Sequence, residues 1–116
     1  MTELKAIKPN KCHLWTKGSL AVEELRFRIV EAYAESSHFY RRLLACEDCG
    51  QRYYHEWYEQ IDWNEGNDSQ YTTFIPIEPT RTLIDELNKA SPFELLQLRP
   101  RLQIDSKGEL RVKWIR

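Results

Sequence analysis

The segment Cys46-Glu47-Asp48-Cys49-Gly50 has the C-x-x-C-G spacing of a zinc knuckle. A turn of that length points two thiolates at one metal ion, and the glycine relaxes the tight backbone that follows. Tetrahedral zinc needs two further ligands. The chain offers Cys12 with His13, and His38 or His55 as substitutes. A second C-x-x-C pair, which would make the metal reading strong, is absent from the sequence. The competing reading puts Cys46 and Cys49 on one face of a helix end, where a free cysteine packs as a small hydrophobe. A thioredoxin-like redox role is disfavoured. That chemistry sets the motif at a helix start, where the dipole lowers the thiol pKa. Here the motif follows an expected helix and carries two acids, Glu47 and Asp48, which act in the opposite sense.

A second constellation spans residues 47–68. Seven carboxylates (Glu47, Asp48, Glu56, Glu59, Asp62, Glu65 and Asp68) face the single cation Arg52, a charge of −6 within a chain of net −1, which leaves +5 elsewhere. Tyr53, Tyr54, Trp57, Tyr58 and Trp63 are interleaved with them. Acids steer a basic partner, and rigid rings supply contact area at low entropic cost. The expected partner-binding set is Tyr54, Glu56, Tyr58, Glu59, Asp62, Trp63, Glu65 and Asp68. The bland alternative is an ordinary half-buried sheet with acids outside and rings in the core.

Catalytic signals are sparse. His55 lies beside Glu56 and Glu59, so an acid/base pair serving a small hydrolase or nuclease is one alternative. In an extended strand, though, Glu56 points away from His55. The four glycines fall at expected boundaries or turns, leaving none for a phosphate-cradling loop. No nucleophile-elbow or H-E-x-x-H pattern occurs. The sequence therefore reads as non-enzymatic. It calls for no cofactor, with zinc at Cys46, Cys49, Cys12 and His13 as the alternative. Arg41, Arg42, Arg99, Arg101, Arg111, Lys113 and Arg116 are able to meet phosphates, but the acidic segment and the net charge argue against a nucleic-acid partner.

At 116 residues the chain is read as one domain, with residues 1–18 as an N-terminal arm pinned by Trp15. Hydrophobic residues at 41% exclude a disordered tail. No apolar run reaches the ~18 residues of a membrane span, and the first residues lack the apolar segment of a secretory signal. Three cysteines, an odd number, argue against a disulfide framework and for a cytoplasmic setting.

The elements that must position these groups read as α+β. Ser19 is the expected cap of a helix carrying Val22, Leu25, Ile29 and Tyr33, interrupted at Ser36-Ser37 and running on through Phe39, Leu43 and Leu44 to about Cys46. Residues 51–63 and 70–77 read as strands joined by the turn Asn64–Asp68. Thr80 caps a helix with Leu83, Ile84 and Leu87, and Ser91-Pro92-Phe93-Glu94 is a capping box opening another. Leu102 to Trp114 reads as a second hairpin turning at Ser106-Lys107-Gly108. The expected architecture is an N-terminal helical region and an antiparallel sheet of about four strands in two hairpins, with a helical connection between them.

Three stretches together resemble a family of short, mostly uncharacterised bacterial proteins. They are Cys46-x-x-Cys-Gly-Gln-x-Tyr-Tyr, Ile61-Asp-Trp-x-x-Gly-Asn-Asp-x-Gln-Tyr71, and Ser91-Pro-x-Glu-Leu-Leu with Pro100-Arg-Leu and Trp114. The resemblance covers roughly residues 46–116 and supplies no catalytic residues. By analogy it implies an immunity protein that neutralises a cognate toxin, such as a nuclease of contact-dependent growth inhibition. The leading expectation is therefore a cytoplasmic protein-binding module, without a membrane segment, that docks a basic toxin domain through its acidic, aromatic surface. A zinc-knuckle binding module is the first alternative.

Overall fold

The computed structural model describes residues 4–36, 39–60, 69–104 and 111–116. Its centre is one antiparallel sheet of seven strands. They are β1 (Ser19–Ala21), β2 (Phe27–Glu35), β3 (Phe39–Cys46), β4 (Arg52–Gln60), β5 (Ser69–Pro76), β6 (Arg101–Ile104) and β7 (Arg111–Ile115). Their spatial order is β1-β7-β6-β5-β4-β3-β2, so the first strand closes one edge beside the last. Helices α1 (Arg81–Lys89) and α2 (Pro92–Leu95) lie between β5 and β6 in the chain. Among the described residues no helix is long and apolar enough to cross a membrane.

This corrects the expected α+β architecture. The stretch expected to form the N-terminal helix is mostly the strand pair β2–β3, and the sheet has seven strands rather than about four. The reason lies in two bulges. The β2–β3 register shifts between Ile29 and Glu31 and again between Ala32 and Ala34, leaving Val30 and Tyr33 as extra residues. Each insertion stretches the two-residue alternation of a strand, so apolar residues fall three and four apart without a helix. The β-branched Ile29 and Val30 favour the strand. In β3 both faces are covered, so Leu43, Leu44, Ala45 and Cys46 are all buried and the alternation that marks a half-exposed strand is lost.

The expected strands at 51–63 and 70–77 correspond to β4 and β5, which pair in register from Tyr53↔Pro76 to Gln60↔Ser69. The turns expected at Asn64–Asp68 and Ser106–Gly108 lie outside the described residues, as do Ser37 and His38. The two helices start where their caps expect. Thr80 Oγ1 accepts from Leu83 N at 3.2 Å, and Ser91 and Glu94 exchange the two bonds of a capping box.

The sheet separates two cores. On one face Leu43, Tyr54, Ile75 and Ile77 pack against Leu83, Leu87, Ala90 and Leu95 of the helices. On the other, Leu44, Cys46, Tyr53, Phe74, Leu102, Val112 and Trp114, with Leu20 of β1, meet Cys12 and Leu14 of the N-terminal arm. Phe27 stacks on Phe74 at 5.3 Å although β2 and β5 are three strands apart, about 14 Å on a flat sheet. The sheet therefore curls toward the arm. Leu14 of the arm is fully buried, and such a side chain contributes about 1.5–3 kcal/mol. The arm is thus a structural layer. Backbone bonds fix its path: Ile7 N donates to Pro76 O at 2.9 Å, and Trp114 Nε1 donates to Leu14 O at 2.8 Å.

Candidate metal centre

Two separate pieces of chain meet at one corner of the arm-covered face. In the arm, Cys12 N donates to Pro9 O at 2.9 Å and Trp15 N to Cys12 O at 3.0 Å, which sets Cys12 and His13 at the mouth of a 3-10 turn, His13–Thr16. In the other piece, Cys46 ends β3. Gly50 N donates back to Cys46 O at 2.8 Å, closing a tight turn over Glu47, Asp48 and Cys49. Gly50 sits at φ +80°, a left-handed conformation that L side chains rarely adopt. That residue is what lets Cys49 fold back beside Cys46.

The sulfurs of Cys12, Cys46 and Cys49 all lie within 4.8 Å of one another. Around a tetrahedral zinc with Zn–S bonds of about 2.3 Å, sulfurs stand roughly 3.8 Å apart, so only small side-chain movements separate this cluster from a coordinating one. A ring nitrogen of His13, the Cys46 sulfur and a carboxylate oxygen of Asp48 form a second triad within the same limit. Cys46 belongs to both. His13 Nε2 is 3.6 Å from Asp48 Oδ2, and Arg26 Nη1 donates to Asp48 Oδ1 at 3.2 Å. Asp48 is therefore held between a cation and the imidazole. Cys12 and Cys46 are buried and Cys49 is exposed, so the cluster opens to solvent on the Cys49 side.

Electrostatics define what the cluster lacks by itself. Burial pushes the Cys12 thiol up to about 12, against a lowering hydrogen bond from Tyr53, whose Oη donates to Cys12 Sγ at 3.2 Å. Burial also raises the Cys46 thiol. Both stay protonated at neutral pH unless a cation draws off the protons, and a divalent metal does that directly. The donor set is soft, which suits zinc over magnesium or calcium.

Of the four residues expected to ligate metal, Cys12, Cys46 and Cys49 form one triad, and His13 joins Cys46 in the second, with Asp48. His55, the described substitute, takes no part. It is buried, stacks on Phe74 at 4.3 Å and meets Tyr40 edge-on at 5.3 Å. Neither of its ring nitrogens has a hydrogen-bond partner among the described residues. Desolvation, with Arg42 nearby, pushes its pKa down to about 3. No carboxylate pairs with it there, so the geometry offers the acid/base alternative no support. Sequence reasoning missed Asp48 and Tyr53 as neighbours of the cluster. The Asp48 signal was its place inside the C-x-x-C; no sequence signal marks Tyr53.

The expected partner-binding set fares differently. Tyr54 is fully buried and its Oη donates to Asn88 Oδ1 at 2.6 Å. Glu56 is also buried: Arg41 Nη2 and Nε reach its Oε2 at 2.8 and 2.9 Å. Tyr58 is half-buried, stacked with Tyr71 at 6.2 Å, and Glu59 accepts from Gln70 Nε2 at 3.0 Å. Asp62, Trp63, Glu65 and Asp68 lie outside the described residues. Of the described members, two are interior, which corrects their assignment to an exposed patch. The cause is the two-sided burial of β4.

Compared with known proteins, the chain matches no family model, no curated protein and no solved structure.

Proposed function

We propose that the chain is a non-enzymatic binding module in which Cys12, Cys46, Cys49 and His13 hold one zinc ion. A single observation carries the reading: three cysteine sulfurs from two distant parts of the sequence converge within 4.8 Å, with His13 and Asp48 beside Cys46. Four protein ligands leave no open position for substrate, which is the pattern of a structural rather than a catalytic zinc. The ion clamps the N-terminal arm to the turn between β3 and β4. Asp48 orients the imidazole, and the Tyr53 hydroxyl donates to the Cys12 thiolate. A reducing cytoplasm suits this role because it keeps the thiols available. The inhibitor reading, with its toxin partner, gains no specific support: Tyr54 is in the core and Glu56 is neutralised by Arg41.

Metal analysis of protein purified under reducing conditions tests the proposal. About one zinc per chain is expected, lost in Cys46→Ser, with a fall in melting temperature on chelation. A zinc-free protein that melts unchanged in chelator contradicts it.

A further inference from the structure

The topology brings the two ends of the chain together, and both ends are basic. β1 pairs with β7 through Ser19↔Lys113 and Ala21↔Arg111, and the arm docks Leu14 under Trp114. Residues 4–21, 95–104 and 111–116 contain no aspartate or glutamate. They do contain Lys5, Lys8, Lys11, Lys17, Arg99, Arg101, Arg111, Lys113 and Arg116, nine of the chain's 17 lysines and arginines. A net charge of −1 hides this separation, because the acids are concentrated elsewhere in the sequence.

Three of these cations converge. Lys8, Arg99 and Arg116 line a cleft of about 380 Å³ together with Trp15 and Pro100. All three are exposed, and among the described residues none forms an ion pair with a carboxylate. Arg116 donates to the Trp15 and Lys17 carbonyls, at 2.7 and 3.2 Å. Its guanidinium lies 4.6 Å over the Trp15 ring, and that ring is braced edge-on by Trp114 at 4.8 Å. The cleft thus combines a flat platform with a rim of positive charge that no carboxylate of the described residues pairs. Bases stack on aromatic rings and on guanidinium planes, while phosphates seek the cations around them. An acidic peptide would use the charge but not the platform. A duplex keeps its bases stacked inside, out of reach.

We infer that this cleft binds single-stranded nucleic acid, one base on the Trp15–Arg116 platform and its flanking phosphates on Lys8 and Arg99. None of its five lining residues is a proposed metal ligand.

Fluorescence anisotropy of a short labelled single-stranded oligonucleotide, with the full chain over a range of salt, tests the inference. Binding is expected with a log–log salt slope of about −1.4, the value for two phosphate contacts on a single strand. Arg99→Glu and Lys8→Glu each weaken it by about tenfold or more and flatten the slope. Both side chains are exposed, so the fold tolerates the change, and an unaltered melting curve checks this. Arg28→Glu makes the same charge change on β2, at the opposite edge of the sheet, and leaves binding unchanged. The inference is overturned by absent binding at low salt or by Arg28→Glu weakening binding as much as Arg99→Glu. Displacement by polyglutamate at equal charge, or equal affinity for duplex, overturns it too.

Discussion

The hydroxyl of Tyr53 donates to the sulfur of Cys12 across 3.2 Å in the interior, joining the middle of the sheet to the N-terminal arm. Burial pushes the Tyr53 phenol pKa well above its ordinary range, so it stays a donor at any working pH. A thiolate accepts that bond better than a thiol does, so the contact strengthens when a metal removes the Cys12 proton. Tyr53→Phe should weaken zinc binding by about tenfold, the usual effect of deleting a hydrogen bond to a metal ligand. The metal-free stability should change by only about 1 kcal/mol. Competition against a chromophoric chelator measures the first and urea denaturation the second. Unchanged affinity would remove Tyr53 from the centre.

Arg41 and Glu56 form the charged heart of the helix-covered face. Beyond its contacts to Glu56, Arg41 Nη1 donates to the carbonyls of Leu87 and Asn88 at 3.1 Å, satisfying the last turn of α1 where the helix dipole favours a cation. Desolvation nonetheless leaves the Glu56 pKa raised, Arg41 only partly offsetting it. Such a pair is weak evidence for net stability, but breaking it strands a buried charge. Glu56→Ala should destabilise the protein by about 3–5 kcal/mol in urea denaturation, and the double variant Arg41→Met with Glu56→Leu by much less. Equal losses in both would mean that the charges act separately.

His55 makes stability depend on acid. Its folded pKa, about 3, lies below the ordinary value of 6.5. Between those values the unfolded chain takes up a proton that the folded one refuses. Stability from neutral His55 is therefore complete above pH 6.5 and declines as pH falls toward 3. At pH 4.5 the loss should be about 2–3 kcal/mol relative to pH 7. Glu56 titrates in the opposite sense, so the informative quantity is the difference between wild type and His55→Phe, in which that contribution cancels. A wild-type urea midpoint that falls relative to the variant's as pH drops supports the assignment, and parallel curves refute it.

What the sequence disclosed follows from the range of the interactions involved. The caps at Thr80 and Ser91 are contacts over three residues, and they mark α1 and α2 correctly. The ligand candidates were legible because cysteine and histidine are chemically distinctive and two of them share a fixed spacing. β2 was not legible, since its bulges at Val30 and Tyr33 are answered only by partners in β3. The burial of Glu56 was equally hidden. It depends on Arg41, one strand away, and on a helix that arrives much later in the chain. Arg99 and Arg116 were legible as cations able to meet phosphates, but their convergence with Lys8 was hidden for the same reason: the three are neighbours only through the pairing of β1 with β7.

The most direct test of the metal centre is the cobalt(II) spectrum of the reduced protein. Tetrahedral d–d bands should appear with thiolate-to-cobalt charge transfer, saturating at one ion per chain, and zinc should bleach them. Cys49→Ser removes an exposed sulfur without opening the core, so its charge-transfer band should fall by roughly a third with the fold intact. Protein that gives no thiolate band with cobalt, or a band indifferent to Cys49→Ser, would contradict the account.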